Sequence, residues 1–168
     1  MTENSSENST ATFRTRLGAA LARNAHMVRQ LVTGVPEEAG RTPLFEGGSH
    51  MNWLVGHLTG NRDSLLRLLG GEAVRSTEEN AASGYGSSAS AEPSFSLEEQ
   101  LAAYSEAGKR LKSALEGLTA EQLAAPATTP AGEGTVAEAL DFLTWHETYH
   151  VGQLMLYRRA AGLDSPIG

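Results

Sequence analysis

The sequence contains no cysteine among its 168 residues. This absence excludes disulfide bonds, thiolate metal ligands and a cysteine nucleophile. Any thiol in the chemistry must therefore come from a small molecule, and any metal ion must be held by histidines and carboxylates. Histidine is the scarcer of these two ligand types, and its five residues are His26, His50, His57, His146 and His150.

Basic residues are also few, because 13 Lys and Arg stand against 20 Asp and Glu and give a net charge of −7. Binding to nucleic acid requires positive charge that neutralises phosphate, so this balance argues against a nucleic acid partner. No apolar run reaches the roughly 18 residues that a membrane-spanning helix needs. We therefore expect a soluble protein with no nucleic acid partner and no membrane partner.

The segment 1–10 lacks both the basic region and the apolar region of a secretory signal peptide. It consists mainly of Ser, Asn, Thr and Glu, which is typical of a disordered tail. A chain of 168 residues suits one domain of ordinary size. We expect a cytoplasmic protein with a disordered tail at 1–10, a single four-helix-bundle domain at 11–164 and a C-terminal tail at 165–168.

The two-residue alternation that is typical of β-strands is missing, and the leucines instead recur with a helical period in four long segments. The first predicted helix spans 10–33, and the second spans 49–69 with Ser49 as its N-cap. The third and fourth follow capping boxes that begin at Ser96 and Thr135, each with a Glu three residues later. The pattern predicts an all-α fold, a four-helix bundle.

The predicted connections between these helices differ in length and composition. The segment 71–95 is long for a compact domain, and it predicts a crossover between parallel second and third helices, with a short helical turn near 76–80. A capping box at Thr119 predicts another short turn. We expect loops around Gly40 and at 128–134, where glycine and proline interrupt helical periodicity.

The strongest chemical signal is the pair His146 and His150, which lie one helical turn apart and can share one metal ion. As a local string with Glu147 between them, they match the zincin pattern, in which the Glu is a general base. Zincins take a third ligand downstream, however, and the only carboxylate after this pair is Asp164. The alternative takes the third ligand from another helix, for which His57 is the natural candidate.

Two regions of the sequence resemble the DinB-like (damage-inducible) family of metal-binding four-helix bundles. The segments NWLVGHL at 52–58 and LLRLLG at 65–70 are similar to the second helix of that family. The segments WHETYHVGQL at 145–154 and YRR at 157–159 are similar to its last helix. The order and spacing of all four predicted helices agree as well, so the resemblance covers about 10–163.

This resemblance implies a three-histidine site at His57, His146 and His150, and often a homodimer. The ion would be divalent, either zinc, nickel, iron or manganese, with zinc or nickel favoured. Family members with assigned activity include metal-dependent transferases and isomerases that use a low-molecular-weight thiol such as bacillithiol or mycothiol. The family name refers to induction by DNA damage and does not indicate DNA binding.

The leading hypothesis is therefore a metal-dependent S-transferase, in which the ion activates a small thiol for transfer to a small electrophile. One alternative is a non-catalytic, metal-binding stress-response module whose ion cross-links the second and fourth helices. Another alternative is a metallohydrolase that uses Glu147 as its base. These alternatives differ in whether the metal keeps a position open for a substrate.

Other candidate residues have weaker signals. Glu147 could act on the metal site or lie on the surface, and Asn61, one turn after His57, is a candidate polar residue of the pocket. We expect His26 and His50 to be structural or surface residues. Ordinary packing is expected for the large aromatic residues Trp53, Trp145 and Tyr149.

Overall fold

The computed structural model describes residues 2–87, 93–129 and 132–166. Parts of the predicted tails, of the crossover 71–95 and of the loop 128–134 lie outside these ranges. In chain order the elements are α1 (Thr2–Val32), α2 (Glu37–Arg41), α3 (Met51–Leu68), α4 (Thr77–Ala81), α5 (Leu97–Glu116), α6 (Ala120–Ala124), β1 (Pro126–Thr129), β2 (Gly132–Thr135) and α7 (Val136–Ala160). Each helix in the described ranges is too short or too polar to cross a membrane.

The long helices α1, α3, α5 and α7 form a four-helix bundle, which confirms the predicted fold class. Helix α3 packs against α5 and α7, and α1 packs against the same two neighbours. Helices α1 and α3 therefore lie diagonally across the bundle although they are consecutive among its long helices. The three histidines of interest are thus carried by two neighbouring helices, α3 and α7.

Side-chain hydrogen bonds show that α3 and α5 run parallel. Near the start of both helices, Gln100 Nε2 donates to Asn52 Oδ1 at 3.2 Å. Further along both helices, Arg62 Nη1 donates to the Tyr104 carbonyl at 3.4 Å. The contacts advance in the same direction on each helix, so the chain must return along the bundle between them, as the long crossover predicted.

Two apolar clusters fill the interior, and buried polar residues separate them along α3. Leu54 and Leu58 belong to one cluster, and Leu65 and Leu66 belong to the other. Arg62 lies between these positions and is fully buried. Because a buried charge needs a partner, its contacts matter for both folding and the site.

The N-terminus of α1 differs from the prediction, since the helix begins at Thr2 and includes most of the predicted tail 1–10. No Gly or Pro interrupts the chain before Gly18. Thr12 and Thr15 also bond back into the helix, because their hydroxyls donate to the carbonyls of Asn8 and Ala11, each at 2.9 Å. The prediction of a disordered tail considered only the polar composition of this segment. A helix that has formed in the amphipathic segment can extend into it, because adding a residue to an existing helix costs less than starting a new one.

The predicted N-cap of α3 is wrong by one residue. His50 is the N-cap, and its Nδ1 accepts a hydrogen bond from the Trp53 amide at 3.0 Å. The Ser49 hydroxyl instead lies 2.6 Å from the Tyr157 hydroxyl of α7. A histidine ring nitrogen thus satisfies an orphan amide of the first turn, the role that the Ser49 hydroxyl was expected to fill one residue earlier.

Two predicted loops contain regular structure. Helix α2 occupies the loop around Gly40, with Pro36 before its first turn and an ion pair of 2.7 Å between Glu37 and Arg41. Strands β1 and β2 pair antiparallel within the predicted loop 128–134 and just before it. All three elements are too short for periodicity to reveal them.

Capping boxes are confirmed wherever the sequence predicted them. In each box the Ser or Thr side chain accepts from a backbone amide, and the Glu or Gln side chain reaches back to the cap amide. The predicted turn near 76–80 is α4, which has the same device at its N-terminus. The four pairs are Ser76 with Glu79, Ser96 with Glu99, Thr119 with Gln122, and Thr135 with Glu138.

Candidate metal centre

The structure brings His57 of α3 together with His146 and His150 of α7. The Nε2 atom of His146 lies 3.4 Å from Nε2 of His57 and 3.0 Å from Nε2 of His150. The ligand atoms of all three residues lie within 4.8 Å of one another. All three side chains are half-buried, so the group is packed against the bundle but still reachable from solvent.

An oxygen atom faces the second ring nitrogen of each histidine. Such an oxygen can only accept, so each Nδ1 carries the proton and donates it, and each Nε2 keeps its lone pair for the centre of the group. The partners are the Ser83 carbonyl for His57 at 2.9 Å, Asn61 Oδ1 for His146 at 3.2 Å, and Gln153 Oε1 for His150 at 2.8 Å.

Asn61 is nearly buried and is itself fixed by a second hydrogen bond. Its Nδ2 donates to the Leu143 carbonyl of α7 at 3.0 Å, which turns Oδ1 toward His146 Nδ1. The sequence indicated Asn61 as a polar pocket residue. The structure places it behind His146, where it orients the ring.

Burial favours the neutral form of these imidazoles. It lowers the pKa of His57 to about 4, an effect that the nearby His150 and His146 increase and the Ser83 hydrogen bond opposes. Burial also lowers the pKa of His146, with a further contribution from His150. It lowers the pKa of His150 as well, against the opposing effect of the hydrogen bond that the ring donates to Gln153. Neutral imidazole is the form that binds a metal ion.

The donor set fits a divalent ion. Two imidazole nitrogens that bind one tetrahedral ion at 2.0–2.1 Å are separated by about 3.3 Å. The observed Nε2 separations of 3.4 and 3.0 Å are close to this value. Among the described residues, no fourth His or carboxylate joins this group. Three nitrogen ligands with room for an exogenous group are typical of catalytic rather than structural zinc sites.

Glu147, the central residue of the zincin-like string, points away from this group. It is fully buried, and its two oxygens accept hydrogen bonds from Arg62 Nε and Nη2, each at 2.9 Å. The Tyr104 hydroxyl donates to Oε1 at 3.0 Å. Burial and the neighbouring carboxylate raise the pKa of Tyr104 well above its usual value, so its hydroxyl remains a donor. Glu147 therefore joins α7 to α3 and α5.

The crossover segment is anchored beside His57 by a buried carboxylate. Asp63 accepts hydrogen bonds from the amides of Val74 and Arg75 at 2.7 and 3.1 Å, and from Asn80 Nδ2 at 2.8 Å. Ser83 follows α4, and its carbonyl faces His57. The sequence carried no signal for this contact because a backbone carbonyl in a loop has no residue signature.

The two remaining histidines do not join the group. His50 is 4% exposed, caps α3 and lines a cavity of about 190 Å³ together with Trp53, Ser83 and Arg75. His26 is exposed on α1. Both positions agree with the structural or surface roles that were expected.

A family model described as the DinB superfamily matches residues 20–154, a range that includes all three histidines of the group. The chain belongs to the DinB superfamily. Among solved structures, this DinB chain is similar to YfiT from Bacillus subtilis, with 24% identity and a TM-score of 0.66. The match covers 90% of this chain and 89% of that one. YfiT is described as a probable metal-dependent hydrolase with an unusual four-helix bundle topology.

At this level of identity, the likeness to YfiT shows the fold alone. No curated protein matches the chain. The function of this DinB chain must therefore be inferred from its own residues.

Proposed function

We propose that this DinB protein is a metal-dependent enzyme that transfers a low-molecular-weight thiol, of the bacillithiol or mycothiol type, to small electrophiles. The observation that carries the proposal is the convergence of three Nε2 lone pairs, from His57, His146 and His150, in a half-buried and solvent-reachable position. The described residues supply three ligands, whereas structural zinc sites are closed by four.

The donor set supports zinc or nickel over iron or manganese as the ion. Imidazole nitrogens suit zinc and nickel, whereas manganese favours oxygen ligands and iron in comparable sites takes a carboxylate beside two histidines. When bound, the ion would supply positive charge that stabilises the anion of a thiol at the open position and so lowers the thiol pKa.

The protein residues hold this site and do not need to supply a base. An ordinary thiol has a pKa of about 8.5, so modest stabilisation of its anion gives thiolate at neutral pH. In the transfer, the thiolate sulfur forms a bond to the electrophilic carbon, the leaving group departs with its bonding electrons, and the thiol proton passes to solvent. Ser83, Asn61 and Gln153 keep the three rings aligned during this reaction.

Hydrolysis is the second candidate function, and the description of YfiT as a probable metal-dependent hydrolase favours it. Water would then be the nucleophile in place of the thiol. The version in which Glu147 is the base has no support from its geometry, because Arg62 and Tyr104 bind both of its oxygens. Water has a far higher pKa than a thiol, so an ion at this site would have to lower the pKa of its bound nucleophile further for hydrolysis than for thiol transfer.

A non-catalytic role would use the ion to cross-link α3 and α7. Metal removal would lower stability in either case, since a ligand of the folded state stabilises it by mass action. Turnover therefore discriminates these roles and stability does not.

The homodimer that the resemblance implies stays a prediction. The cytoplasmic location, which was expected from the N-terminal sequence, also stays a prediction.

The test is conjugation of bacillithiol or mycothiol to a panel of small electrophiles by protein of confirmed metal content. We expect metal-dependent conjugation that is lost in His57→Ala and retained in His26→Ala, which removes an exposed histidine. Absence of conjugation with every electrophile by fully loaded protein would contradict the thiol assignment. Metal-dependent cleavage of activated esters without conjugation would favour hydrolysis.

A further inference from the structure

Helix α7 exposes two large aromatic side chains next to the histidine group. Trp145 is 61% exposed and Tyr149 is 55% exposed. Their rings stack with centroids 6.1 Å apart and an interplanar angle of 23°. Ordinary packing was expected for both residues, but it does not describe rings that leave most of their surface in water.

The exposed pair is continuous with the histidines of α7. Tyr149 contacts His150 edge to face, with ring centroids 5.0 Å apart and an angle of 72°. Phe142 connects Trp145 to His146, with centroid distances of 5.9 Å and 6.2 Å respectively. Each exposed ring therefore reaches a histidine of the group directly or through one other ring.

A third aromatic residue, from α3, borders the group in a different way. Trp53 stacks on His57 with centroids 5.1 Å apart and an interplanar angle of 6°. Its Nε1 donates to the Ser87 hydroxyl at 3.1 Å, and the side chain is half-buried. Packing accounts for Trp53, whereas it does not account for the exposed rings of Trp145 and Tyr149 beside the histidines of α7.

We propose that Trp145 and Tyr149 form the substrate-recognition surface of the three-histidine site and select planar aromatic electrophiles. Two stacked rings present flat faces and edges that bind another ring through offset stacking and edge-to-face contact. Their proximity to His146 and His150 lets one small molecule contact the rings and reach the ligand position together. This inference rests on the proposed function, because it assigns a substrate class to the same site.

The surface could instead contact a second copy of the chain, and the experiment must separate the two occupants. A small-molecule occupant is favoured because both rings are continuous with the histidines through contacts of 5.0 to 6.2 Å. The exposed residue Leu156 lies on the same helix, beyond this aromatic contact set, and provides a control position.

The test compares benzohydroxamate with acetohydroxamate, which share one metal-binding head group and differ in phenyl against methyl. Dissociation constants are measured by calorimetry on zinc-loaded protein of confirmed metal content. We expect tighter binding of benzohydroxamate to the wild type. Each of Trp145→Ala and Tyr149→Ala should reduce this preference roughly two- to tenfold, while acetohydroxamate affinity stays the same. Leu156→Ala should leave the preference unchanged.

The outcomes distinguish the two proposals. If neither hydroxamate binds the zinc-loaded wild type, the assignment of an open ligand position is refuted, and the proposed function is refuted with it. If both bind and the aromatic variants keep the wild-type preference, recognition by the pair is refuted while the proposed function stands. Equal losses for both hydroxamates would show that the rings support the histidines and do not select the substrate. Conversion of a dimer to a monomer in sedimentation, with the preference unchanged, would assign the surface to a second copy.

Discussion

At the scale of single residues, His57 couples the metal site to folding through its proton. Its pKa is lowered by burial from 6.5 to about 4, so the folded, metal-free protein resists protonation of this ring. Between these two pH values the unfolded chain binds more protons than the folded one, and stability must therefore fall as the pH is lowered. The ring needs to be neutral to bind metal, so the same burial serves both properties.

We predict that metal-free protein loses free energy of unfolding between about pH 6.5 and pH 4, with His57 contributing on the order of 3 kcal/mol at the lower end. Urea unfolding of chelator-treated protein at a series of pH values measures this. Protein with His57→Gln should show a shallower decline, because its remaining groups titrate without this ring. Identical pH dependence in the two proteins would refute the assignment.

Asn61 shows how a residue that is not itself a ligand can affect the affinity of the three-histidine site for a metal ion. Its Oδ1 accepts from His146 Nδ1, which fixes the tautomer with the lone pair on Nε2. We predict that Asn61→Leu weakens metal affinity by roughly ten- to a hundredfold. Chelator competition measures the affinity. Asn24→Leu is the matched control, because this buried asparagine bonds Thr148 and should affect stability but not affinity.

Residue patterns predicted part of the site. The spacing of His146 and His150 and the stripe of the second helix predicted the convergence with His57. Glu147 was placed among the catalytic candidates because it lies between His146 and His150 in a zincin-like string. Helical geometry turns it toward α3 and α5 instead, and only the tertiary partner Arg62 reveals that role.

At the scale of elements, close packing between α3 and the crossover positions the ligand His57. A Cβ atom added at Gly56 would lie 2.7 Å from Ser83 Oγ and 2.8 Å from Gln100 Nε2. Glycine therefore allows the crossover to approach α3 closely enough for the Ser83 carbonyl to reach the His57 ring.

We predict that Gly56→Ala costs about 1–3 kcal/mol of stability by overpacking and also weakens metal binding, because it displaces Ser83. Thermal unfolding and chelator competition measure the two effects. Gly18→Ala is the matched control, since nothing outside the adjoining backbone of α1 lies within 4 Å of its added Cβ and alanine favours the helix. Unchanged metal affinity in Gly56→Ala would show that the Ser83 contact is dispensable.

The buried pair of Arg62 and Glu147 ties all four long helices together, because Tyr104 of α5 bonds to both residues and the Leu21 carbonyl of α1 accepts from Arg62 Nη2 at 3.0 Å. We predict that Glu147→Gln costs about 3–5 kcal/mol, because it leaves the Arg62 charge buried without its counter-ion. The double variant Arg62→Met, Glu147→Leu should cost less, since it removes both charges. Folded Glu147→Gln protein should retain its metal, in contrast to a variant of a ligand. Denaturant unfolding and elemental analysis measure these outcomes, and little loss of stability in Glu147→Gln would contradict the account.

The sequence predicted the start of a helix well where the stabilising hydrogen bonds form between residues only a few positions apart. The capping boxes at Ser96, Thr119 and Thr135 all form, because each satisfies amides of its own first turn. The pairing of Pro126–Thr129 with Gly132–Thr135 had no such signal, since β-pairing of four residues leaves no visible alternation. His50 replaced Ser49 as a cap because Tyr157 holds the Ser49 hydroxyl.

At the scale of the whole molecule, the order of the helices around the bundle creates the site. Helices α3 and α7 are neighbours, whereas α1 and α3 are diagonal. The long crossover between α3 and α5 was predicted from its length, and the segment that makes it also supplies the Ser83 carbonyl. Periodicity could not predict which helices are neighbours, because the apolar stripe of an amphipathic helix shows which face is buried but not which other helix that face contacts.

The central claim is that His57, His146 and His150 hold one divalent ion, and elemental analysis of the purified protein tests it most directly. We predict close to one zinc or nickel ion per chain in the wild type and in His26→Ala. We predict a small fraction of that amount in His57→Ala, with its fold verified by circular dichroism. A folded His57→Ala protein that retains the wild-type metal content would contradict the account.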